Sequence, residues 1–214
     1  MEKKKILLLL SKFSDFKSRA IGFLTGFYFT HASIGLGEDK NTFYSFVDKG
    51  FIVEKISRYV RPDKTSAPCE LYEAEVSDEV YEEVKDTLSG FVKRKASLHY
   101  SLPGLLLSLL HIPHKSRRRF FCSQFVAEVL GKCRAARLKK SSSLYFPRDL
   151  RKMPEMRMIF RGNMKGMLDQ FHPELAESKF INNSITPVKC RHRMMARKGE
   201  KNHEQSCDHC GVRF

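Results

Sequence analysis

Tryptophan is absent from the 214 residues, and no apolar run is long enough to cross a bilayer. Ile6 to Leu10 follows Lys3, Lys4 and Lys5 in the manner of a secretion signal, but it is five residues long. A signal core needs ~7–15 residues and a membrane helix ~20, so the run reads as a buried first strand. The six cysteines have none of the regular spacing of a disulfide scaffold. With no export signal, that predicts a reducing, cytoplasmic compartment. An aromatic ribonucleoprotein motif, a helix-turn-helix pattern and a Gly-rich phosphate loop are all missing, so no specific nucleic-acid partner is expected.

What the chain does have is 17 phenylalanines and a hydrophobic content of 42%, enough for the core of one domain plus extras. Its net charge of +15 is unevenly placed. Residues 114–140 hold nine Lys/Arg against Glu128 alone, whereas residues 69–87 hold eight acids against Lys85. A basic patch of this kind suits an anionic surface or substrate, or is simply a solvated face.

Residue patterning predicts a strand at 5–10, a short helix from Phe16 to Leu24, a hairpin over 27–47, and a third strand at Gly50–Glu54. Leu71 to Val76 alternates apolar and acidic residues, the mark of a further strand. Ser77 then reads as the N-cap of a helix to about Val92, with Val80, Val84, Leu88 and Phe91 on one face. Leu102 to Ile112, interrupted by Pro103 and Gly104, reads as a core helix covering the site, with an acyl-chain groove or membrane-facing loop as the functional alternative. His99, His111 and His114 read as surface histidines.

The chemistry centres on Cys122 in Phe120-Phe121-Cys122-Ser123-Gln124-Phe125-Val126. The thiol opens an amphipathic helix, with Lys115, Arg117, Arg118 and Arg119 just upstream. The positive end of the helix dipole and nearby cations both favour the thiolate, which is the nucleophile. Far upstream, His31 stands on an aromatic, β-branched strand. A cysteine on a helix facing a histidine on a sheet is the pairing of papain-type hydrolases, completed by a third polar group that orients the ring.

Several blocks carry a family resemblance: Lys5 to Ser11, Ser18 to Thr25, Thr30 to Ile34, Phe43 to Phe46, Tyr100 to Leu106, the cysteine block, and Phe146 to Leu150. Over residues 5 to 165 their order resembles the circularly permuted papain-like amidases related to NlpC-type peptidases, also called YiiX-like or YebB-like. In the permuted order the histidine strand precedes the cysteine helix.

The resemblance implies an α+β permuted papain-like (NlpC-like) fold, with an antiparallel sheet packed against the helix that carries the cysteine. It implies a cysteine hydrolase cleaving an amide bond in a small-molecule, peptide or lipid substrate, with Cys122 as nucleophile and His31 as general base, then acid. No metal or organic cofactor is needed for that chemistry. The backbone N–H of Cys122 is the candidate oxyanion donor. Many relatives carry a carboxylate on the strand after the histidine, and this chain has Ser45 there. An odd hairpin loop puts Ser45 and His31 on one sheet face, as orienter or as a small space-filling residue. A lipid-directed acyl hydrolase or acyltransferase of the lecithin–retinol acyltransferase-like type and a catalytically silent binding module remain the alternatives.

Past Gly162 the resemblance fades, so the expected organisation is a hydrolase domain at 1–165 and a basic, mobile tail at 166–214. Residues 180–214 carry seven Lys/Arg against three acids. The Cys207-x-x-Cys210 spacing suits half of a tetrahedral zinc site, with Cys190 and His192 or His203 for the other half. The composition favours a tail without a metal.

Overall fold

The structure, a computed structural model, describes residues 3–12, 28–60 and 66–175. The expected helix at Phe16 to Leu24 and the Cys/His-bearing tail beyond 175 lie outside the described residues. The fold is mixed α/β, built on one antiparallel sheet. Its strands are β1 (Lys4–Ser11), β2 (His31–Leu36), β3 (Thr42–Val47), β4 (Gly50–Lys55), β5 (Pro68–Val76) and β8 (Arg157–Asn163). They lie in the order β4-β3-β2-β1-β5-β8, with every pairing antiparallel. Two residues each from β6 (His99–Tyr100) and β7 (Arg119–Phe120) form a separate parallel pair.

β1 is central, and its apolar run follows from that position. Ile6, Leu8 and Leu10 face one core while Leu7 and Leu9 face another. A strand buried on both faces has no place for alternating polar residues. The larger core packs this sheet face against α1 (Asp78–Lys93) and α3 (Cys122–Lys132). α1 contributes Tyr81, Val84, Leu88 and Phe91, and α3 contributes Phe125, Val126, Val129 and Leu130. Ser77 caps α1 by accepting the Val80 N–H. At the centre, Phe46, Phe51, Phe91 and Phe125 meet edge-to-face or tilted, except for Phe51 stacked on Phe91, with centroids 4.9–6.3 Å apart. Such pairs add specificity beyond the area they bury, a job done here without tryptophan.

Gly50 opens β4 with φ +100, and a Cβ there would meet the Leu98 carbonyl oxygen at 2.3 Å. Only glycine allows that approach, which brings the segment leading into β6 against the sheet.

Two expectations change. The segment 102–112 is not a core helix. α2 (Leu102–Leu109) buries Gly104, Leu105 and Ser108, while Leu102, Leu106, Leu110 and Ile112 are exposed. Pro103 and Gly104 do not interrupt it. They sit in its first turn, where proline lacks only an N–H that would have no intrahelical partner, and Ser101 caps the helix by accepting the Gly104 N–H. The packed fold also runs past residue 165. After the short α4 (Pro147–Leu150) and β8, α5 (Met164–Phe171) buries Met164, Met167 and Leu168 against Leu7, Leu9 and Leu71, and Leu175 packs beside them.

Candidate active site

Cys122 is the first residue of α3. The N-cap, Phe121, is extended and offers no capping side chain, so its own N-cap residue does not occupy the first-turn N–H groups of α3. No acidic residue lies in that turn. The thiol is buried and reaches the sheet at the start of β2, where Sγ lies 3.9 Å from the carbonyl oxygen of Thr30.

His31 is the next residue, and its ring is buried between two partners. Nε2 lies 2.7 Å from Oε1 of Glu54, and a second hydrogen bond links the ring to Cys122. Because Nε2 is committed to the carboxylate, Nδ1 is the nitrogen left to exchange a proton with sulfur. Burial on its own favours the neutral ring. The Glu54 charge, with the ring's hydrogen bonds to Cys122 and Glu54, outweighs it and raises the imidazole from 6.5 to about 10. At neutral pH the ring is therefore an imidazolium.

Strand register explains how Glu54 arrives there. Glu54 pairs with Phe43 across β3–β4, and Phe43 pairs with Gly35 across β2–β3. Alternation along β2 puts Gly35, Ser33 and His31 on that same face. Ser33 Oγ donates to Glu54 Oε1 at 3.2 Å, so this oxygen is fixed from two sides. Among the described residues, the buried Oε2 has no hydrogen-bond partner.

Ser45, read from the sequence as orienter or space-filling residue, does not meet His31 through its proton in this geometry. It shares the alternation of Phe43 and so lies on the same face, but its hydroxyl donates to the Ala32 carbonyl oxygen at 2.6 Å. Its proton thus ties β3 to β2, and the carboxylate beside His31 belongs to Glu54, one strand further on. The signal for Glu54 was present: a glutamate closing the apolar run Phe51-Ile52-Val53 is a charge the sheet must bury or turn outward.

Tyr100, on β6, also belongs to the site. Burial pushes its hydroxyl well above the usual tyrosine range, reinforced by the negative fields of Cys122 and Asp48, so it stays a neutral donor. The other two described cysteines are set apart. Cys69 is pushed up to about 12 by burial and then by Glu70, and burial also raises Cys133. Among the described residues no group of three or more His, Cys, Asp and Glu side chains is placed to hold a metal ion.

The site is thus a Cys–His–Glu constellation set where a helix N-terminus meets the edge of an antiparallel sheet. No protein-family model matches the chain, and no curated protein matches it significantly.

Proposed function

We propose that this protein is a thiol hydrolase of the circularly permuted papain-like kind, cleaving an amide bond with Cys122, His31 and Glu54. The buried 2.7 Å contact between His31 Nε2 and Glu54 Oε1, beside a cysteine at a helix start, carries the reading. The histidine-before-cysteine order of the chain supports the permuted form.

In the proposed reaction the sulfur, as thiolate, attacks the carbonyl carbon. The carbonyl oxygen becomes an oxyanion next to the Cys122 N–H. The imidazolium then gives its Nδ1 proton to the leaving nitrogen, the C–N bond breaks, and a thioester remains. The neutral ring takes a proton from water, which attacks the thioester and releases the acid and the thiolate. Glu54 holds the ring in orientation and supports its positive charge throughout, which a serine hydroxyl does not do.

Two measurements test this. Cys122 should be alkylated by iodoacetamide near neutral pH faster than Cys69 or Cys133. Cys122→Ser and His31→Ala should each cut hydrolysis of activated esters and amides on the order of 10⁴-fold or more. Cys122→Ser should melt nearly as wild type, whereas His31→Ala should also melt lower because it leaves Glu54 buried without its 2.7 Å partner. Alkylation of Cys122 no faster than of the two other buried thiols would favour the silent binding module. The exposed leucines of α2 favour a second reading, a lipid-directed acyl hydrolase or acyltransferase. Product analysis with peptide and lipid substrates separates the two.

A further inference from the structure

The exposed face of α2 and the loop that follows it combine two features that soluble surfaces seldom show together. Leu102, Leu106 and Leu110 are 56%, 50% and 70% exposed. Their spacing of four puts them in one stripe along the helix. Ile112, 47% exposed, extends the stripe beyond its end. The chain then runs through exposed Lys115, Arg117, Arg118 and Arg119 to Cys122. None of these four cations pairs with a carboxylate among the described residues. The charge is one-sided over a long stretch: residues 87–127 contain seven Lys/Arg and no Asp or Glu.

Stripe and loop form one surface because the loop is tied back. Gln124, on α3, donates to the His114 carbonyl oxygen at 3.3 Å, and the His114 N–H donates to Ser143 at 3.0 Å. A Cβ on Gly104 would approach the His114 ring at 3.4 Å, so the loop lies against the first turn of α2. The inner face of α2 packs Leu105 on Phe121, the residue before the thiol. The surface therefore flanks the catalytic cysteine in space as well as in sequence.

We infer that this surface docks the protein on an anionic phospholipid membrane, with the leucine stripe entering the interface and Lys115 and Arg117–Arg119 on the headgroups. Leucine side chains of this exposure gain by leaving water, and phosphate-bearing headgroups complement unpaired cations. A nucleic acid would satisfy the cations but offer nothing to the leucines. No helix among the described residues is long and apolar enough to cross a membrane, so the mode is peripheral. The inference does not depend on the chemistry assigned to Cys122, because docking is read without turnover.

The absence of tryptophan from the chain makes a clean test possible. Leu106→Trp in the full-length protein supplies a single fluorophore on the stripe, and Met158→Trp supplies one at an exposed site on β8, the far edge of the sheet. Vesicles of phosphatidylcholine with about 30% phosphatidylserine should shift the emission of the first to the blue and leave the second unchanged. In co-sedimentation, Leu106→Glu/Leu110→Glu and Arg117→Glu/Arg118→Glu should each weaken binding on the order of 10-fold or more, and raised salt should release the wild type. Melting curves should match, since all four substituted residues are exposed. Any of four results overturns the inference: no binding to the anionic vesicles, binding that both double variants retain, tighter binding to a short DNA duplex, or a homodimer that Leu106→Glu dissolves.

Discussion

Glutamates are buried at two places in the sheet, and their charges are balanced by different partners. On β4, Glu54 faces a buried histidine that also contacts a thiol. On β5, Glu70 is held by Arg161 at 2.8 Å, by the Tyr72 hydroxyl at 2.7 Å and more loosely by Arg151, while Glu73 is paired with Arg157 and Lys5. Both arrangements satisfy a carboxylate that the strand would otherwise strand in the core. The arginines, and Lys5 beside them, keep their protons at working pH, so the β5 pairs can only hold neighbouring elements, β8 above all, onto the sheet. The histidine can release and recover a proton, so the β4 pair can do chemistry. The partner, more than the buried acid, separates structure from function here.

The sharpest break of that comparison is a matched pair of substitutions. Glu54→Gln should lower ester or amide turnover by about 10²-fold or more and slow alkylation of Cys122. Glu70→Gln should leave turnover within a few-fold and cost about 1–3 kcal/mol in urea unfolding. Equal effects on turnover would erase the distinction between the two regions.

Chain length gives the next largest effect. Ending the chain after residue 165 removes Met167 and Leu168 from the second core, at about 2–5 kcal/mol for each large apolar side chain lost. That protein should melt far lower, or fail to fold, whereas one ending after Leu175 should melt like the full chain. This moves the expected domain boundary at 165 to beyond α5.

The pH dependence of stability sharpens the comparison further. His31 is raised from 6.5 to about 10 in the folded protein, so the native state holds this proton more tightly than the unfolded chain. The resulting stabilisation is complete below 6.5 and is lost as pH climbs through about 10. Urea midpoints across that window should fall less steeply in His31→Gln than in wild type. Glu70→Gln should keep the wild-type slope there, because arginine does not titrate in that range.

The smallest effect is expected at Ser45. Ser45→Ala removes one buried hydrogen bond to the Ala32 carbonyl, about 1 kcal/mol of stability, with turnover nearly unchanged. Ser45→Asp should destabilise rather than strengthen the site, because it buries a second carboxylate on the face that already holds Glu54. A large turnover loss in Ser45→Ala would restore the serine as a working third member.

Much of this was already written in local patterns. The apolar run of β1, the alternation of β5, the Ser77 cap and the cysteine opening α3 depend on residues near one another in the chain, and short-range backbone preferences express them directly. His31 and Cys122 could be singled out because their residue types and settings are chemically specific. β8 left little trace: it is an edge strand, largely exposed, and its pairing with β5 is interrupted by a register shift. α5 is not legible in sequence because its short stripe of Met164, Met167 and Leu168 gains meaning only against the sheet face that forms the second core.

What the tertiary structure alone decided was which side chain meets the histidine and which side of the leucine-rich segment meets water. Ser45 and Glu54 lie on the same face by alternation, and local pattern does not choose between them. The choice rests on cross-strand distance, set by two successive strand registers and by the reach of a glutamate side chain. The leucines of α2 have the composition of a core helix, and only the packing of Leu105 on Phe121 shows that one narrow face is buried while the rest stays exposed. Sequence specifies which groups are available through local chemistry. Their proximity is a long-range property, fixed when the sheet closes on α3.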